Sequence, residues 1–341
     1  MCGEVRLGHA GQRVQLGGWV HRTRNLGGLV FLDLRDRTGL VQVSFDPNRS
    51  PADVVTAAGS LANETVVLIE GDVAARPETM RNADMGTGDV EVIAASLRIV
   101  GPADTPAIPV ARGKGEKLAA EELRLRHPYL DLRRPELQEN MILRHKLAQA
   151  TRRYLSDNEY FETETPILTK PTPEGARDYL VPSRVHPGEF YALPQSPQIY
   201  KQLMMVAGYD RYFQIARCFR DEDLRADRQP QFTQIDIEAS FITREDIVRL
   251  SEGMIAALWA VAGQSITPPF AQMTYANAME RYGSDRPDTR FGLEIQDATK
   301  VFAASEFGIA RQAIAAGGRV RGLVVPNAAV LSRKQVDEIE A

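Results

Sequence analysis

The sequence predicts a multidomain α+β protein: a small N-terminal β-barrel, then an antiparallel sheet flanked by helices, then the start of a mixed α/β segment. Three observations carry this expectation. Val14 to Phe45 alternates apolar and polar residues with a period of two, broken at NLGG (Asn25 to Gly28) and RDRTG (Arg35 to Gly39), both rich in turn formers. GPADTPAIPVARGKGE, from Gly101 to Glu116, is dense in proline, glycine and charge and reads as a linker. Beyond it, Leu137, Ile142, Leu147, Ala150, Tyr154 and Leu155 recur at helical spacing.

Taken in order, the first stretch divides into three strands, and Thr65 to Val73 and Val90 to Val100 add two more, a count that suits a small barrel such as the OB-fold. The expected organisation is a barrel over 1–104, a linker or hinge over 105–135, a helix-and-sheet domain over 136–287 and the beginning of a further domain over 288–341. The second domain should hold a strand at Phe161 to Thr165, a helix after Ser196, strands at Tyr212 to Arg220 and Phe232 to Phe241, and a helix at Arg244 to Gly263. Ser196-Pro197 reads as N-cap and first helical position, which sets Gln198 and Lys201 on one face of the first turns.

With 341 residues the chain exceeds the roughly 250 at which single cores stop growing, and 43% hydrophobic with 25% charged residues is ordinary for a packed globular protein. No run approaches the roughly 20 apolar residues of a membrane span and no secretory signal opens the chain, so a cytoplasmic protein is expected. Cys2 and Cys218 are too few for a disulfide framework or a zinc site and are expected as free thiols. A formal charge of -4 argues against indiscriminate nucleic-acid binding and leaves local patches to decide. The clearest patch comprises Arg112, Lys114, Lys117, Arg124, Arg126, Arg133 and Arg134, which on charge alone is either a binding surface or a solvated linker.

The chemistry concentrates in two strands. In YFQIARCFR, Gln214, Ala216, Cys218 and Arg220 share one side; in FTQIDIEASF, Gln234, Asp236 and Glu238 share one face while Ile235, Ile237 and Phe241 take the other. If the strands pair antiparallel, Arg220 and the three polar residues line one floor. A guanidinium forks onto phosphate or carboxylate oxygens, and aligned carboxylates hold an ammonium group. A solvent-exposed sheet face laced with salt bridges fits the same alternation.

CFRDEDLRADRQPQFTQIDIE closely resembles motif 2 of the class II aminoacyl-tRNA synthetases in the form found in bacterial aspartate–tRNA ligases. LDLRRPELQENMILRHK leading to FETETPILTK looks like motif 1, TPEGARDYLVPSR like the mobile aspartate-site loop, and FYALPQSPQIYKQLMM like the amino-acid-binding strand, turn and helix. GWVHRTRNLGGLVFLDLRDRTGLVQVSF resembles the OB-fold anticodon-binding domain of that family, and AMERYGSDRPDTRFGLEI the start of the domain that bacterial members carry inserted in the catalytic domain. The resemblance covers essentially the whole chain.

It implies a class II antiparallel sheet and an enzyme that activates L-aspartate with ATP, as its Mg2+ complex, and loads tRNA(Asp). Arg220 becomes the catalytic residue, clamping the ATP α-phosphate and the aspartate α-carboxylate. Asp221, Glu222 and Gln229 join it in binding ATP. Glu174 and Asp236 take the substrate ammonium, Ser196 and Gln198 line the aspartate site, and Lys201 pairs with the substrate side-chain carboxylate, which separates aspartate from asparagine. In the barrel, Phe31 becomes a stacking platform for an anticodon base, Gln42 a reader of base edges, and Arg22 and Arg24 base or backbone contacts. Pro166, with the helix before it, falls at a homodimer interface. Leu26 in the NLGG turn points toward tRNA(Asp) alone, and charging of tRNA(Asn) stays open. Motif 3 and the magnesium ligands are absent from these residues, so the chain is expected to be the N-terminal part of a longer protein; a truncated, non-catalytic tRNA-binding paralogue is the alternative.

Overall fold

The computed structural model describes residues 1–113, 115–172, 174–290, 292–326 and 330–340; Lys114 of the basic run, Pro173 of the PEGARDY segment and Phe291 of DTRFGLEI lie outside them. The chain forms two compact units, Met1–Ile247 with Met254–Ile266, and Val248–Gly253 with Thr267–Ala341.

The first unit opens with a closed barrel of strands β1 (Arg13–Leu26), β2 (Leu29–Asp36), β3 (Gly39–Phe45), β4 (Val66–Ala75) and β5 (Val90–Gly101), in the order β1-β2-β3-β5-β4. The alternation located all five. Leu32, Val41, Val43, Val67, Ile69 and Val92 fill the interior with no exposed surface. Closure brings backbones together tightly: a Cβ at Gly71 would lie 2.3 Å from the Ile93 carbonyl oxygen, so only glycine fits there. Helix α1 (Ala52–Gly59) packs Val54 and Ala58 into the same core. It fell between two expected strands, and its single short turn pattern was too brief for the 3.6 period to show.

After the barrel, residues expected as open linker carry structure. Helices α2 (Glu121–Arg126) and α3 (Pro128–Asp131) sit there, and Ile108, Val110 and Leu130 form a small buried cluster. The basic run is largely spent on ion pairs: Arg112 with Glu136, Arg124 and Arg134 with Asp131, and Arg126 with Glu122. Helix α4 (Pro135–Asp157) follows, started by proline where its missing N–H costs nothing and burying Thr151 and Leu155.

Strand β6 (Phe161–Glu162) is shorter than the expected Phe161 to Thr165, because Pro166 and its surroundings cannot continue a ladder. It pairs parallel with β9 (Arg211–Phe219), which pairs antiparallel with β10 (Gln231–Ala239); β7 (Leu180–Pro182) and β8 (Phe190–Ala192) make a separate antiparallel ribbon. Helix α5 (Gln198–Val206) lies between β8 and β9 in sequence. Helix α6 (Arg244–Val261) starts with a capping box in which Thr243 and Asp246 satisfy each other's backbone N–H groups. Both cysteines are buried and free.

The second unit contains α7 (Tyr275–Tyr282), capped by the Thr274 side chain, strands β11 (Ile295–Asp297) and β12 (Arg321–Leu323) paired antiparallel, and helices α8 (Thr299–Ala303), α9 (Gly308–Ala315) and α10 (Arg333–Glu340). Among the described residues no helix is long and apolar enough to cross a membrane.

Candidate active site and nucleic-acid interface

Strands β9 and β10 pair in unbroken register, with Cys218 opposite Phe232, Ala216 opposite Gln234, Gln214 opposite Asp236 and Tyr212 opposite Glu238. Directly opposed residues of an antiparallel pair share a face, so these eight side chains form one floor. It is not a solvated face. Cys218, Ala216 and Asp236 are 0%, 2% and 8% exposed, whereas Ile235 on the opposite face is 40% exposed. Burial pushes the Cys218 thiol up to about 11, with Asp236 adding to the rise, so it stays a protonated thiol that packs the floor and donates to Gln234 Oε1 at 3.3 Å.

At the loop end of the hairpin, Arg220 lays its guanidinium over the Phe232 ring, 5.0 Å from the centroid, and its Nε is buried without a hydrogen-bond partner. Arg220, Glu222, Arg228, Gln229 and Phe232 line a cavity of about 310 Å³. Arg228 Nη1 lies 3.6 Å from Glu222 Oε2 across it. Asp221 lines an adjoining cleft with Gly175 and Arg177, and its N–H donates to the Arg177 carbonyl at 3.0 Å. Phe232 was legible as a floor residue two positions before Gln234, but its place beneath Arg220 needed the pairing register.

Further along the floor, Lys201 of α5 is buried, donating to Asp236 Oδ1 at 2.8 Å and lying 3.3 Å from Glu238 Oε2. Burial works against its charge, yet the bonds and charges of Asp236 and Glu238 outweigh it and raise the Lys201 pKa above the usual lysine range. The other oxygen, Asp236 Oδ2, is buried with no partner. Two groups expected to face opposite ends of a ligand therefore hold each other. Helix α5 begins one residue later than Ser196-Pro197 suggested: Pro197 is the N-cap and Gln198 the first helical residue. Proline's fixed φ suits either position, and here the Ser196 hydroxyl accepts from the Gln198 N–H at 3.3 Å while donating to Glu174 Oε2 at 2.8 Å.

Gln195, which sequence reasoning passed over, fixes the Glu174 loop. It is 1% exposed, and its amide donates to the Ala176 carbonyl at 2.9 Å and to Asp178 Oδ1 at 2.6 Å while accepting from the Ala176 N–H at 3.1 Å. Gly175 turns the loop at φ +102°, a conformation that favours glycine.

On the barrel, the β1–β2 and β2–β3 registers place Arg24 opposite Phe31, Phe31 opposite Ser44, and Asp33 opposite both Arg22 and Gln42. All four residues named from the sequence thus share one face. Arg24, Phe31 and Gln42 line a cavity of about 450 Å³; Arg22 stands outside it. Arg24 donates to Asp33 at 2.9 Å and to Gln42 Oε1 at 3.2 Å, and Gln42 donates to Glu91 at 3.2 Å. Arg76 and Glu91 also line this cavity. Arg76 is 7% exposed, yet its Nε and Nη2 have no partner. In the sequence Arg76 is a strand-end charge before Pro77, indistinguishable from a solvated turn residue.

The chain thus joins an antiparallel hairpin floor with a buried arginine Nε at its loop end to a closed five-stranded barrel that carries arginines and an aromatic ring on one face. Residues 120–321 match the family of class II tRNA synthetases (D, K and N), and residues 14–100 match the OB-fold nucleic-acid-binding domain family. The chain belongs to the class II tRNA synthetases of this group. Over 340 residues, 99% of its length, it is 52% identical to the aspartate–tRNA ligase of Bacillus licheniformis, and over 336 residues 53% identical to the aspartate–tRNA(Asp/Asn) ligase of Gloeobacter violaceus. It spans 57% and 56% of those two relatives, a little over half their length. Among solved structures it is similar to asparaginyl-tRNA synthetase from Pyrococcus horikoshii complexed with asparaginyl-adenylate, with TM-score 0.66 and 26% identity over 76% of this chain and 57% of that one. It shares the fold of a putative aspartyl-tRNA synthetase from Leishmania major, with TM-score 0.67, 21% identity, and 76% and 51% of the two chains covered.

Proposed function

We propose that this chain serves an aspartate–tRNA ligase, which joins L-aspartate to ATP as aspartyl-adenylate, releasing pyrophosphate, and passes the aspartyl group to the 3′ end of tRNA(Asp). The observation that carries the reading is the β9–β10 floor, which sets a buried, unpartnered guanidinium N–H at one end and the Lys201–Asp236 pair at the other. The Arg220 fork suits an α-phosphate and a carboxylate at once, holding the carboxylate oxygen for in-line attack on phosphorus as the bond to pyrophosphate breaks. Glu222 and Gln229 serve the adenine end and Asp221 braces their loop. Glu174, Ser196, Gln198 and Asp236 receive the amino-acid head, and Lys201 its side-chain carboxylate. ATP enters as its magnesium complex; among the described residues no group of three metal-binding side chains stands together.

The barrel face is the anticodon site in this reading. A base stacked on Phe31 would meet Gln42, Arg24 and the free donors of Arg76 and Glu91's acceptor within one cavity. Phe31→Ala is expected to weaken tRNA binding by about 1 to 3 kcal/mol through lost stacking, with adenylate formation unchanged. A parallel fall in adenylate formation would make Phe31 a packing residue instead.

The protein acts as a homodimer in the cytoplasm, where its tRNA resides. Ile167 and Leu168, 44% and 54% exposed beside Pro166, supply apolar surface for the partner subunit. Leu26 lines the anticodon cavity and favours tRNA(Asp). Charging of purified tRNA(Asp) and tRNA(Asn) by the whole protein tests the proposal: aspartylation of tRNA(Asp) is expected, and aspartylation of neither tRNA would overturn it.

A further inference from the structure

Glu64 is the least ordinary residue of the barrel. Its backbone sits at φ +68°, a left-handed conformation that a non-glycine residue adopts at a cost, and its side chain is buried rather than solvated. The backbone is pinned there: the Glu64 N–H donates to the Val20 carbonyl at 2.7 Å, and the Val20 N–H to the Thr65 carbonyl at 2.9 Å. This turn aims the carboxylate out of the barrel toward the hinge.

Three donors meet it. Arg35 of β2 forks onto both oxygens at 2.9 and 2.7 Å, and Arg133 reaches the second oxygen at 2.5 Å from the segment between α3 and α4. Arg133 also lies over the Trp19 ring of β1, 5.2 Å from its centroid. His21, which burial and then Arg35 push down to about 4, is neutral near pH 7 and accepts from Arg35 at 2.8 Å. Burial alone would raise the Glu64 pKa, but the bonds from Arg35 and Arg133 hold it below the usual carboxylate range.

What Arg133 is attached to gives the contact its meaning. Its neighbour Arg134 is bonded to Asp131 at 2.6 Å, and Leu130 is packed on Ile108 and Val110. Helix α4 begins two residues later, and on it Arg144 donates to Thr233 of β10 at 2.8 Å. A continuous set of packed and hydrogen-bonded groups thus runs from the barrel wall through Glu64, Arg133 and α4 to the strand that carries Asp236. A buried carboxylate needs one good partner. Arg35 already supplies it within the barrel, so the third bond does something other than neutralise the charge.

We propose that the Glu64–Arg133 contact, shared with Trp19, is a positioning device that fixes the barrel on the hinge, so that a tRNA held at the Phe31 face presents its other end to the Arg220 cavity. Glu64 and Arg133 are positioning residues: neither lines either cavity. The inference rests on the aspartate–tRNA ligase reading for its functional consequence, but its structural part is measured separately.

The test uses Arg133→Met in the whole protein, which removes the hinge arm and leaves the Arg35–Glu64 pair intact. Hydrogen exchange at amides 130–134 is expected to quicken at least tenfold while the barrel strands keep their protection. Aminoacylation kcat/KM with full-length tRNA is expected to fall about tenfold, with binding of an isolated anticodon stem-loop and aspartate-dependent pyrophosphate exchange both within twofold of the parent. Arg133→Lys, which keeps a cation beside Glu64, should recover much of the loss. Unchanged exchange at 130–134 would overturn the lock, as would unchanged aminoacylation or an equal loss in stem-loop binding. A parent that charges no tRNA would sink the functional reading instead, and the hydrogen-exchange result would still decide the lock.

Discussion

Replacing Arg220 with alanine is expected to slow aspartate-dependent ATP–pyrophosphate exchange in the whole protein by about 100-fold or more, which is about 3 kcal/mol of transition-state stabilisation. The reasoning begins with register. Arg220 leaves β9 at the end where its N–H still donates to the Pro230 carbonyl at 2.9 Å, so its backbone is fixed before its side chain is. The guanidinium then rests on Phe232, an apolar seat that removes water from one face and leaves the fork directed at the cavity. Charge developing as phosphorus changes partners would meet donors already oriented and partly desolvated, which is where such donors contribute most. Arg220→Lys should recover only a small part, since an ammonium cannot fork onto phosphate and carboxylate together. Exchange within about threefold of the parent for the alanine variant would remove Arg220 from the site.

The second large effect is expected at Lys201. Lys201→Met leaves Asp236 and Glu238 facing each other without their shared cation, in a place where Asp236 is 8% exposed. Removing one partner of a buried pair costs about 3 to 5 kcal/mol, so a marked fall in thermal stability is expected. The folded pKa of Lys201 is raised above its ordinary 10.5, so the stabilisation is fully present below about that pH and is lost as pH rises through the folded value. The stability gap between parent and variant should therefore narrow only in strongly alkaline solution. The aspartate KM is expected to rise about 100-fold, since the substrate carboxylate loses its cation, while asparagine is discriminated against less. A gap that persists unchanged as pH rises past the folded value, or an unaltered aspartate preference, would contradict these assignments.

Much of this architecture is legible in the sequence, and the reason is periodicity. The barrel strands and the β9–β10 hairpin alternate cleanly, so which residues share a face is legible, whereas the opposed pairs Phe31–Ser44 and Asp236–Gln214 come from the registers of the folded structure. Burial was less legible. Asp33 and Ser44 lie on the polar face with Phe31 and Gln42 yet are only 8% and 4% exposed, because alternation reports direction and not what later covers a surface. The hinge helices α2 and α3 were hidden in a basic, proline-bearing stretch whose arginines turned out to be paired. Arg76 was invisible because a strand-end charge before proline looks solvated, and Gln195 and Glu64 because each acts through contacts far away in sequence. A buried glutamine gripping a loop 19 residues upstream carries no local mark.

Aspartate-dependent pyrophosphate exchange by the whole protein, set beside asparagine and lysine as alternative substrates, tests the central claim most directly. The Lys201–Asp236 end of the floor predicts exchange with aspartate at least 100-fold above that with either competitor, the difference expected when a site cation pairs with the substrate carboxylate and a neutral amide or an ammonium offers it no such partner. Equal or faster exchange with asparagine or lysine would contradict it.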